Sequence, residues 1–189
     1  PSRRNPRARL THLAAAVATI TGGGLVPLIA SAQCIFGQGP NGDRTFAGPN
    51  FKLSGGCLEY EIVKIGDGSG ITFEQTGGTL FAAQALRFAS GPGDEALYRL
   101  WGGVLDARTV RTDSGTSTLD ISGGQLSFKQ QLEVDTLLIG SGAAGSLDVE
   151  AGHTLNIGAT RVGVGGIGRL SFTGASAVGN LGALWVGSA

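Results

Sequence analysis

Asp120 and Asp148 are the carboxylates with the strongest claim to chemistry in this sequence. Each stands between two apolar residues, in Leu119-Asp120-Ile121 and Leu147-Asp148-Val149, so in a strand each projects away from its neighbours' side. If the two hold equivalent places in adjacent repeats, stacked aspartates suit a calcium ion or the polarisation of a uronic acid. Asp106, Arg108, Arg111 and Asp113 add both signs of charge on a neighbouring stretch. The plainer expectation is that outward strand positions are polar because they face water. Tyr98 and Ser171, read at the same register, interrupt a catalytic pattern, and no catalytic residue is assigned.

The remaining candidates are weaker. His153 has no cysteine or carboxylate partner at ligand spacing, so neither a metal site nor a cofactor is expected. Gly163-Val164-Gly165-Gly166-Ile167-Gly168 lacks the Lys-Ser/Thr ending of a phosphate loop and reads as a turn between strands. Trp101 and Trp185 are candidate platforms for stacking a sugar, although Trp185 lies between Leu184 and Val186 and also suits the cap of a coil.

The elements that would carry these residues follow from composition and repetition. Among 189 residues there are 34 glycines, 41% apolar residues and only 15% charged ones. That apolar fraction is too high for a solvated disordered chain. Glycine at this frequency disfavours long helices, at about 1 kcal/mol for each interior position, and suits short strands joined by tight turns. Six segments share one pattern, an apolar-polar-apolar start, a small-residue turn and a second apolar run. Their turns are marked by Gly55, Gly77, Gly102, Gly123, Ala151 and Gly174, at intervals of 22, 25, 21, 28 and 23 residues. A period near 24 built from strands predicts one coil of a solenoid per repeat. Stacked coils would align Phe51, Ile71, Leu97, Leu119, Leu147 and Leu170 in one apolar row. Ser90–Glu95 reads as a corner loop, and a β-sandwich is the competing arrangement.

Residues 1–32 have the three parts of an export signal: a basic stretch through Arg9, an apolar run from Leu13 to Ile29, and Ala30-Ser31-Ala32 as the cleavage site. Residues 33–50 are read as an N-terminal cap or linker and 51–189 as the repeats. Four of the 14 basic residues, Arg3, Arg4, Arg7 and Arg9, fall in the opening segment, so the remainder is mildly acidic. A nucleic-acid partner is therefore not expected. Cys34 and Cys57 can close one disulfide in an oxidising compartment, or remain buried thiols. Pro1 and the ending Leu184–Ala189 suggest part of a longer protein.

The units Leu119-Asp120-Ile121-Ser122-Gly123-Gly124-Gln125-Leu126 and Leu138-Ile139-Gly140-Ser141-Gly142 resemble the autotransporter-associated β-strand repeats of bacterial passenger domains. The resemblance extends more loosely over residues 51–189. It implies an all-β, right-handed parallel β-helix of about six coils, secreted or held at the cell surface of a Gram-negative bacterium. The expected role is a non-catalytic stalk or adhesin-like passenger, with glycans or surface proteins as partners and no membrane insertion by the repeats. The alternative is a carbohydrate-active β-helix enzyme, a polysaccharide lyase or glycoside hydrolase.

Overall fold

The computed structural model describes residues 42–188, apart from 49, 67, 69 and 175. The export signal at 1–32 and Cys34 lie outside the described residues. Among the described residues eleven strands follow one another without a helix: β1 Asp43–Phe46, β2 Asn50–Ile65, β3 Ile71–Phe88, β4 Glu95–Thr112, β5 Thr116–Ile121, β6 Gln125–Ile139, β7 Gly145–Val149, β8 Thr154–Val164, β9 Gly168–Phe172, β10 Val178–Asn180 and β11 Ala183–Ser188. All their pairings are parallel. The long strands bend through corners, so one strand supplies more than one face of a coil. The result is a β-solenoid of about six turns.

Three ladders run through the stack. The first joins Leu53, Gln75, Leu100, Ile121, Ile139, Val162 and Val186. The second joins Leu58, Leu80, Leu105 and Leu126, then resumes in the separate β7–β9 pair with Leu147 and Leu170. The third joins Val63, Leu86, Val110, Leu132 and Leu155. Except for Val186 on the last described strand, alternation sends these side chains inward, where leucines, isoleucines and valines of successive coils form one buried column. Phe46 meets Phe51 and Phe73 edge-on at 5.0 Å, and Tyr98 stacks on Phe73 at 5.0 Å.

The glycine pairs between the first and second ladders are needed for two separate reasons. Gly103 has a φ of +77°, and a Cβ there would stand 2.2 Å from the Gly78 carbonyl oxygen of the coil below. Gly102 has an ordinary φ, yet its Cβ would meet the Thr76 carbonyl oxygen at 2.4 Å. One glycine turns the chain and both admit the neighbouring backbone.

The expected apolar row is corrected in register. Observed are Phe51, Phe73, Tyr98, Leu119, Leu137 and Thr160. Ile71 is buried but pairs with Ala96, and Leu97 lies on the outer side while Tyr98 and Leu100 point in. In Leu97-Tyr98-Arg99-Leu100 the apolar residues cannot all alternate, and burial of the ring decides the phase. The fifth and sixth markers are also displaced. Ala151 and Gly174 lie at the corner between the second and third ladders, whereas Gly55, Gly77, Gly102 and Gly123 lie between the first and second. The chain reaches the equivalent corner again at Gly140, after a short coil in which residues 136–139 stack directly on 118–121. Among the described residues the first strand, β1 from Asp43, already pairs with β2 ahead of the first repeat read from the sequence. Of the expected corner loop Ser90–Glu95, residues 90–94 lie between β3 and β4, and Glu95 is the first residue of β4.

Candidate functional site

Asp120 and Asp148 do not stack. Asp120, on β5, is in register with Arg99 below and Leu138 above, whereas Asp148, on β7, is in register with Ser171. They occupy different ladders because the fifth repeat is out of phase with the first four. Tyr98 does not share the Asp120 register either; its neighbour Arg99 does. Ser171 does face Asp148 and donates a hydrogen bond to its carboxylate.

What surrounds Asp120 is a cleft across three coils, of about 520 Å³, lined by Arg99, Trp101, Asp120, Ser122, Ser141, Gly142 and Ala143. The residue is only 5% exposed. Its Oδ1 accepts hydrogen bonds from Ser122 Oγ at 2.8 Å and Ser141 Oγ at 2.7 Å, and its Oδ2 accepts a longer one from Trp101 Nε1 at 3.4 Å. The two hydroxyls also lie 3.1 Å apart, and the Ser141 N–H donates to Ser122 Oγ at 3.0 Å. Such a network offsets the cost of burying the carboxylate, because hydrogen bonds to a charged acceptor are worth about 1.5–3 kcal/mol each.

The same network fixes the cleft wall. Trp101 remains 43% exposed, held at its edge by Asp120 and covered by the Arg99 guanidinium 5.2 Å from the ring centroid. Arg99 forms no ion pair among the described residues. Gly123 and Gly124 follow Ser122 at the corner, where a Cβ would stand 2.7 Å from the Trp101 carbonyl oxygen and 2.5 Å from the Leu100 side chain, respectively. Of these residues only Trp101 and Asp120 were singled out from the sequence. Arg99, Ser122 and Ser141 were missed; the available signal for the two serines was a Ser-Gly directly after Ile121 and, one residue further on, after Ile139-Gly140.

The other candidates are dispersed. Asp113 takes Arg87 through both carboxylate oxygens, at 2.7 and 3.0 Å, and Arg111 at 3.3 Å. Arg108 is exposed nearby, and Asp106 lies on the second ladder with a buried Oδ1 that has no hydrogen-bond partner. His153 packs on Phe128 at 4.8 Å and its Nδ1 accepts from the Glu150 N–H at 3.3 Å. It lines a cavity of about 380 Å³ with Ser127, Ser146, Asp148 and Glu150, where β6 and β7 part. Among the described residues no three His, Cys, Asp or Glu side chains gather to hold a metal ion. Gly163–Gly168 is a corner leading from β8 into β9, with Gly163 and Gly165 at positive φ. Trp185 lies on β11 beneath Arg161, 5.1 Å from its ring, and is 47% exposed. Cys57 is disulfide-bonded.

No family model, curated protein or solved structure matches the chain.

Proposed function

We propose that this chain is a secreted or cell-surface repeat protein of a Gram-negative bacterium, a non-catalytic solenoid stalk or adhesin-like passenger of the autotransporter-associated type. The observation that carries the reading is the continuous stack itself. One apolar column fills its interior, so each added coil lengthens the outer surface without changing the core. Such a structure suits reach and repeated contact.

Two further features support the reading. Asp120 is engaged by two hydroxyls and an indole, and lies on a different ladder from Asp148. Paired acid and base chemistry on a glycan needs two carboxylates facing one bond. The disulfide at Cys57 agrees with an oxidising compartment, where such bonds persist, and residues 1–32 supply the address for export. The partners suited to such an outer surface are glycans or surface proteins.

The test exposes the folded chain to polygalacturonate, with and without calcium, and counts new reducing ends. None are expected above the level of a buffer control. Depolymerisation that disappears in Asp120→Ala would establish a carbohydrate-active enzyme in place of the stalk. Expression of the whole chain in a Gram-negative host is expected to yield an exported product beginning after Ala32. Retention of the uncleaved chain in the cytoplasm would overturn the localisation.

A further inference from the structure

We propose that the cleft formed by Arg99, Trp101, Asp120, Ser122 and Ser141 is a binding subsite for one pyranose ring of an uncharged glycan. The inference deepens the reading of the solenoid as a surface protein that contacts glycans.

Trp101 offers a held aromatic surface. Even with the Arg99 guanidinium over the ring, the indole keeps 43% of its surface exposed beside the cleft. Asp120 holds its N–H and Arg99 lies over the ring. A ring fixed before binding loses little conformational freedom when a ligand arrives. Its π-face is suited to the C–H side of a pyranose, an apolar surface bordered by hydroxyls.

Polar groups complement this surface. Asp120 Oδ1 is engaged by two short hydrogen bonds, whereas Oδ2 has only the 3.4 Å indole contact and retains acceptor capacity for a sugar hydroxyl. The Arg99 guanidinium has no carboxylate within ion-pair distance among the described residues and offers several N–H donors to ring or hydroxyl oxygens. A donor fork and an acceptor beside an aromatic wall match vicinal hydroxyls, each of which both donates and accepts.

The charges of the cleft favour a neutral sugar. The cleft carries one cation and one anion, Arg99 and Asp120. A uronate or sulfated sugar would set a second anion beside the buried Asp120 carboxylate, with Arg99 the one cation of the lining to offset both. A neutral sugar satisfies both groups without introducing an unpaired charge. The volume of about 520 Å³ accommodates a single ring with its substituents and leaves the cleft open for the chain to continue.

The experiment uses the full chain carrying Trp185→Phe, so that Trp101 is the only tryptophan and reports on the cleft directly. Fluorescence titration and affinity electrophoresis are run against dextran, laminarin and galactomannan as uncharged polymers, with polygalacturonate and heparin as acidic ones. At least one uncharged polymer is expected to retard the chain and shift the Trp101 emission. Trp101→Ala is expected to weaken that binding by about tenfold or more, the scale of truncating an aromatic anchor. Arg99→Ala, which leaves the Asp120 network in place, should weaken it as well, and it provides a second test if Trp101→Ala unfolds. The proposal is overturned if no uncharged polymer binds, if only acidic polymers bind, or if both variants bind as the parent does. New reducing ends in the same samples would sink the non-catalytic reading while leaving the cleft standing. Absence of binding without cleavage would sink the cleft alone.

Discussion

Tyr98 shows how one residue can set register, stability and pH response together. Its ring is fully buried in the row of Phe51, Phe73 and Leu119, and its hydroxyl donates to Gln75 Oε1 at 2.5 Å. Gln75 is buried too, and its Nε2 donates to the carbonyls of Val104 at 2.9 Å and Gly78 at 3.1 Å. Burial pushes the phenol well above the ordinary value of 10.0. Below that value both the folded and unfolded chains keep the proton, and this group adds no pH dependence. Above it the unfolded chain releases a proton that the folded chain retains, so stability falls with rising pH. The slope approaches 1.4 kcal/mol per pH unit for one proton, by linkage, to about the accuracy of that relation. Denaturant titrations between pH 9 and 11.5 are expected to show this loss, and Tyr98→Phe should remove most of it. That variant also leaves Gln75 Oε1 buried without its donor, at a cost of about 1–3 kcal/mol at neutral pH. An unchanged alkaline slope in Tyr98→Phe would refute the assignment.

The elements were legible in the sequence to different degrees. Strands and corners followed from alternation and glycine, since Leu119-Asp120-Ile121 and Gly123-Gly124 leave few alternatives for a short coil. The phase of the coils did not follow. Every face offers an apolar-polar-apolar triple and most corners contain glycine, so Leu147-Asp148-Val149 matches the first ladder by pattern while belonging to the second by stacking. Phase is set by long-range pairing between coils, and the interval of 28 residues between Gly123 and Ala151 was its only local sign. The same limit hid most of the cleft, because Arg99, Ser122 and Ser141 become neighbours only when three coils are stacked. The irregular coil has a physical consequence at β6 and β7. Residues 125–128 pair with β4 on one side, β7 pairs only with β9, and the ladder is interrupted between them. Amides directed into this seam lack the protection of a ladder hydrogen bond. In native-state hydrogen exchange they are expected to exchange faster than the β3–β4 amides by about two orders of magnitude or more, the range that separates local opening from global unfolding. Equal protection across the seam and the β3–β4 ladder would show that β6 and β7 are joined in solution.

At the scale of the whole set of described coils, stacking explains their stability and the behaviour expected of residues 1–189 on their own. Contacts run almost entirely between adjacent coils, strongest at β2–β3 and β3–β4, so an inner coil is covered on both sides. The last described coil is not. Val162 is 5% exposed on β8, but its ladder successor Val186 is 70% exposed on β11. Thr160 is fully buried, while Leu184 above it is 49% exposed. β9, β10 and β11 also pair on one side only among the described residues, and an open parallel edge with apolar side chains is a template for another strand. Each apolar area covered there would contribute about 25 cal/mol per Å². The purified chain is therefore expected to associate as its concentration rises, with a sedimentation coefficient that increases through the micromolar range. Leu184→Asp combined with Val186→Asp should keep it monomeric, because buried unpaired carboxylates oppose the contact. High salt should not dissolve the parent's assemblies, since the attraction is apolar and salts that are excluded from protein surfaces strengthen it. If the parent and the double variant sediment alike at every concentration, this face does not drive association, and the exposed side chains remain wetted by solvent.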